Sequence, residues 1–132
     1  MSHGVIKPFG QSMTEGYEWN GRILKPYGGS RQEGWEFDGQ YLTPCGGARS
    51  RGFRWQAGIL QPASGSRNSG YQADDRKIYP YGGSRHDGWE LRESVWAPFG
   101  KAMETGWAFR GELPLPVIAL VVTGLVKQQK QE

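Results

Sequence analysis

The chain has 132 residues, 36% of them hydrophobic, with 21 glycines and 8 prolines, a size that allows one core and excludes two. Its 16 basic and 13 acidic residues leave a net charge of +3, too small an excess to call for nucleic acid by itself. Six Trp, six Tyr and five Phe exclude disorder, and the single cysteine, Cys45, excludes an internal disulfide framework and a cysteine-built zinc site.

At the N-terminus, "MSHGVIKPFG" lacks a basic stretch followed by an apolar run, so no secretory signal is read there. The expected location is cytoplasmic or a leaderless surface association. A repeat then begins. Pro8, Pro26, Pro44, Pro62, Pro80, Pro98 and Pro116 are each 18 residues apart, and so are Gly16, Gly34, Gly52, Gly70, Gly88, Gly106 and Gly124. Six units show an aromatic after the glycine (Tyr17, Trp35, Phe53, Tyr71, Trp89, Trp107), with Leu125 in the seventh. The chain divides into a lead (1–4), six 18-residue repeats (5–112), a degenerate apolar seventh repeat or cap (113–126) and a polar tail (127–132).

Eighteen residues hold two short strands and two turns. Asn20-Gly21 and Asp38-Gly39 predict type I′ hairpin turns, which "QAG", "DDR" and "RES" replace in units three to five. Alternation about Asp38-Gly39 puts Trp35, Phe37 and Leu42 on one face, assigned to the core, and Glu36 and Tyr41 on the other. Asp74-Asp75 reads as turn chemistry. Each proline ends a strand and opens a connection, "GGSR", "GGAR", "SGSR" and "GGSR" in units two to five, but "GQSM" and "GKAM" in units one and six.

Two-stranded hairpins this short need neighbours to be stable. The expected fold is therefore all-β: an array of seven 18-residue β-hairpin or solenoid units forming one elongated or rolled-up domain. A closed barrel or trefoil ranks third, because it predicts a stronger period of roughly 36 or 40 residues. The last apolar run, Leu113 to Val126, is rich in Val and Ile and leans towards a strand. It falls short of the roughly 20 residues of a membrane span and can at most lie on a membrane or plug one end.

Candidate chemistry follows from the columns. Arg31, Arg49, Arg67 and Arg85 occupy one position in four successive units and predict a positive ladder for an anionic ligand; pairing with Glu33, Glu36, Asp87 and Glu90 is the competing structural role. Tyr27, Tyr81, Phe9 and Phe99 flank the glycine-rich connections, where solvent is near, and are the candidates for flat sugar-binding platforms. Only His3 and His86 offer imidazole, His86 falls at a variable loop position, and Cys45 shares the column of Tyr27 and Tyr81. No catalytic residue, metal or cofactor is expected.

"AMETGW", Ala102 to Trp107, resembles the Gly-x-Met-x-Thr-Gly-Trp segment of the choline- and glucan-binding repeats of cell-wall proteins. That resemblance implies a ligand cage of Trp107 and Met103 with Trp89 from the preceding unit. "GYEWNGR", Gly16 to Arg22, is also similar to the core of MORN repeats. The expected function is a non-enzymatic binding module for an extended ligand, a glycan or cell-envelope polymer. The alternatives are a structural protein that self-assembles through its terminal repeats or contacts a membrane through 113–126, and, last, a single-stranded nucleic-acid binder.

Overall fold

The computed structural model describes residues 3–63, 65, 70–74, 76–101 and 105–126, without the side chains of Met13, Arg31, Arg49 and Arg85. Twelve short strands follow the repeat: β1 (Gly4–Pro8), β2 (Tyr17–Trp19), β3 (Ile23–Pro26), β4 (Trp35–Phe37), β5 (Tyr41–Pro44), β6 (Phe53–Gln56), β7 (Ile59–Pro62), β8 (Tyr71–Ala73), β9 (Lys77–Pro80), β10 (Trp89–Arg92), β11 (Val95–Pro98) and β12 (Trp107–Gly111). One helix, α1 (Leu115–Val122), comes after them.

Every strand pairs antiparallel with its neighbours in sequence, and β1 pairs with β12 from Gly4↔Gly111 to Pro8↔Trp107. The result is a closed 12-strand barrel, which corrects the elongated or solenoidal array. Six equal hairpins produce an 18-residue period without any longer one, so the absence of a period of roughly 36 residues did not count against closure. Closure also removes both sheet edges, which an open array of such short strands would leave exposed.

The sixth hairpin is made of chain ends: β12 goes out and β1, the first strand, returns. Units one and six are therefore neighbours instead of opposite termini, and their related loops "GQSM" and "GKAM" belong to adjacent hairpins. Six long loops lie at one end, here the rim. The tight turns and both free strand ends lie at the other.

The core-face assignment holds, since Phe37 faces Leu42 and Trp35 faces Pro44 across one hairpin. The same aromatic–proline pair recurs as Tyr17↔Pro26, Phe53↔Pro62, Tyr71↔Pro80, Trp89↔Pro98 and, across the closure, Trp107↔Pro8. Beneath this ring, Ile6, Leu24, Leu42, Leu60, Ile78 and Trp96 form a second layer, each at most 1% exposed. The glycine column has a steric cause. A Cβ on Gly34 would fall on the carbonyl oxygen of Leu24, and one on Gly52 on that of Leu42.

Eight strands enclose about the space their own side chains fill; twelve enclose more. Helix α1 fills the remainder. Pro116 through Val122 are buried, and Val117 through Val122 share one core cluster with the inward residues of the wall. The β-branched content that leaned towards a strand is overridden because a lone segment inside a lumen has no edge to pair with, and a helix satisfies its own backbone. Pro114 and Pro116, at the cap and in the first turn, suit a helix start. At its far end the indole N–H of Trp35 donates to the carbonyl of Val126 at 3.0 Å. No described helix is long and apolar enough to cross a membrane. The polar tail 127–132 lies outside the described residues.

The hairpin turns differ from expectation in one detail. Gly21 and Gly39, with φ of 99° and 103°, are the first central residues, so Asn20 and Asp38 stand just before the turn. Asp38 Oδ1 accepts the N–H groups of Gln40 and Tyr41, and Asp74 Oδ1 those of Arg76 and Lys77. Positive φ at the first central residue alone is the type II′ pattern; only Ala57-Gly58 shows the paired positive φ of type I′.

Candidate ligand-binding rim and seam

Each long loop opens with a turn closed by a bond to the strand-ending proline, as in Gly29 N–H to Pro26 O at 2.8 Å and Gly83 N–H to Pro80 O at 2.9 Å. The third residue of the turn is glycine with φ near 80° in five loops: Gly10, Gly28, Gly46, Gly82 and Gly100. "GGSR" is thus turn chemistry. The second residue, which follows the proline, is the aromatic column.

Closure rearranges that column. In sequence order it reads Phe9, Tyr27, Cys45, Ala63, Tyr81, Phe99, with the aromatics split between the two ends of the chain. Around the barrel, units five, six, one and two are consecutive, so Tyr81, Phe99, Phe9 and Tyr27 form one unbroken arc. Neighbouring positions are two strands apart, roughly 10 Å. Phe9 and Tyr27 are 37% and 38% exposed, the exposed large hydrophobic residues among those described. Tyr81 and Phe99 are half-buried, and the His86 imidazole meets the Phe99 ring edge-on with centroids 4.9 Å apart.

The other predicted site residues are placed differently. Arg31, Arg49 and Arg85 each begin a 3₁₀ turn in their loops, so at backbone level they follow a circle around the rim instead of a ladder. Arg67 and Met103 lie outside the described residues. Trp89 and Trp107 face inward in the aromatic–proline ring, where Trp89 packs on Tyr71 and Trp107 on Tyr17, both at 6.4 Å. Their first contacts are thus with the lumen wall. Cys45 is half-buried in the rim column. Among the described residues no group of three or more His, Cys, Asp or Glu converges as a metal site would require.

Sequence reading missed the outer wall at the β12–β1 junction, the seam. A groove of about 640 Å³ runs there, with Val5, Lys7, Val95, Ala108 and Arg110 along it and Phe9 at its rim end. Its floor is small because of a repeat column. The outward residue in the middle of each even strand reads Glu18, Glu36, Arg54, Gln72, Glu90, Ala108, and only the last lacks a long side chain.

At three other positions of that column the glutamate is held in a charge pair. Glu18 pairs with Lys25, Glu36 with Arg22 at 2.6 Å, and Glu90 with Arg92 at 2.7 Å. The hydrogen bond from Lys25 holds the Glu18 carboxyl below its usual range, and that from Arg92 does the same for Glu90, in each case against some desolvation. At the seam Lys7 has no ion pair among the described residues; its ammonium donates to the Gln11 carbonyl at 2.7 Å. The signal was available in the repeat columns, but Lys7 and Ala108 meet only once the barrel closes.

Deeper in, a second hollow of about 450 Å³ lies between the start of α1 and the wall, against Trp96 and Phe109. Among the described residues the buried indole N–H groups of Trp96 and Trp19 have no hydrogen-bond partner, unlike that of Trp35.

No protein-family model matches the chain, and neither a curated protein nor a solved structure is significantly similar to it.

Proposed function

We propose that this barrel is a non-enzymatic binding module for a glycan, which it engages at the rim and seam on the side of units five, six, one and two. One observation carries the reading: the aromatic arc Tyr81–Phe99–Phe9–Tyr27, whose two most exposed members stand next to each other. Rigid aromatic faces beside solvent stack on sugar rings at little conformational cost, and several spaced around a rim add avidity along one ligand. The two other aromatic columns point into the lumen and are used in packing.

Binding ranks ahead of assembly because the apolar seventh unit is spent inside the barrel, where Val117, Ala119, Leu120 and Val121 are each at most 1% exposed. The test is affinity electrophoresis of the full chain through gels carrying neutral or acidic polysaccharides. Phe9→Ala and Tyr27→Ala are expected to cut retardation at least about fivefold with an unchanged unfolding midpoint, and Ala63→Ser, directly across the rim from Phe9, to leave it unaltered. Equal retardation of Phe9→Ala and wild type, or capture by an oligothymidylate column in place of every glycan, overturns the reading.

A further inference from the structure

The repeat places two outer sites of matching strand register on one molecule, one complete within itself and one lacking a single group. In the β2–β3 hairpin, Glu18 faces Lys25 across the strands. The Glu18 carboxylate takes the Lys25 ammonium and, at 3.2 Å, the backbone N–H of Gly28. Lys25 is steadied from behind by the Gly29 carbonyl at 2.9 Å. The β10–β11 hairpin repeats part of this, with the Gly100 N–H 3.4 Å from Glu90 Oε2.

At the seam the same parts recur one by one. Lys7 faces Ala108 as Lys25 faces Glu18. Its ammonium is steadied by the Gln11 carbonyl at 2.7 Å, the counterpart of Gly29. Gly10, with φ of 81° against 77° at Gly28, presents the corresponding N–H. Only the carboxylate is missing, and where its side chain would run the groove opens to about 640 Å³. Arg110 lines the turn end of the groove together with Glu93, which leaves Lys7 as the cation beside Ala108 and Phe9.

We infer that the seam binds a carboxylate supplied by the ligand, held by the Lys7 ammonium and the Gly10 N–H in the arrangement that Glu18 shows with Lys25 and Gly28. Because the exposed ring of Phe9 ends the same groove, the ligand is a carboxylated sugar, a uronate unit of an acidic glycan. This inference rests on the glycan reading above and narrows it. Charge-assisted bonds from one ammonium and one preset amide favour the ionised sugar over its neutral ester.

The test uses trigalacturonate and its fully methyl-esterified form, the same sugar without charge, titrated into the full chain at low salt. Wild type is expected to bind the acid about fivefold or more tightly than the ester. Ala108→Glu supplies the chain's own carboxylate on the outer wall and is expected to abolish the acid's advantage over the ester. Lys7→Met, made in parallel, should do the same. Phe9→Ala should weaken both sugars alike. Equal binding of acid and ester by wild type, or an acid preference that survives Ala108→Glu, overturns the carboxylate site while the glycan reading stands, provided Phe9→Ala still weakens both. Binding of neither sugar at millimolar concentration, or binding of poly-glutamate in their place, removes the sugar assignment altogether.

Discussion

The β2–β3 hairpin and the β12–β1 seam share a backbone, a steadied lysine and a left-handed glycine, yet one is a closed charge pair and the other an open groove. What separates them is one column position, glutamate in the first and alanine in the second. In a repeat protein the structural copies serve as internal controls. A wall position that is filled in most copies and small in one marks the copy available for other work. The seam is also the copy made from the two ends of the barrel-forming segment, so its neighbourhood is composed of residues far apart in sequence.

The comparison is broken most severely through the backbone the two sites share. A Cβ on Gly16 would fall on the Ile6 carbonyl, and one on Gly106 on that of Trp96. Gly16→Ala and Gly106→Ala are each expected to cost about 3 kcal/mol in urea denaturation, by forcing apart strands that touch. A large difference between the two would mean that hairpin and seam are not built alike. Next in size, Lys25→Met strips Glu18 of its cation and is expected to cost up to about 1 kcal/mol, the half-buried pair being partly screened by solvent. Lys7→Met at the seam should cost close to nothing in the same measurement. Equal losses would show that Lys7 is already engaged.

The smallest effect sharpens the contrast from the other side. Ala108→Glu rebuilds the missing pair and should add a few tenths of a kcal/mol at neutral pH. Glu18 shows the sign of its pH dependence: its folded-state pKa is lowered, chiefly by the Lys25 hydrogen bond, from an ordinary 4.5. A carboxylate of this kind contributes fully above its unfolded pKa and loses that contribution as pH falls through the lowered folded value. Denaturation midpoints of wild type and Ala108→Glu should therefore differ at pH 7 and converge as the pH falls below the ordinary glutamate range.

Much of this was legible in the chain because each repeat column has one physical job. Gly34 is needed where a neighbouring carbonyl leaves no room for a Cβ, and the Trp35, Phe37, Leu42 set sorts inward by alternation. Closure was not legible by local rules. The strand at Trp107 and the strand "GVIKP" stand at opposite ends of the repeat, and the two complete one hairpin. The similar loops of units one and six were the available hint, and reading them as terminal units concealed it. Helix α1 eluded the reading because propensity speaks for an isolated segment, whereas its conformation answers to a lumen that exists only when all twelve strands are in place. The seam's lysine was overlooked because its column partner lies 101 positions further on, at Ala108.

A wall that closes on its own first strand also sets an order of events during synthesis. Ile6 is made early, but its partner Phe109 and the helix beneath both emerge after every other strand. Successive hairpins can form locally as they leave the ribosome, but the first strand waits with one side unpaired. Only when β12 arrives does the longest-range contact form, and contacts of that span are the slow ones. The apolar segment that follows is then drawn in as the wall shuts, so ring closure and core completion become one late step, and the half-made chain is the species a chaperone would hold.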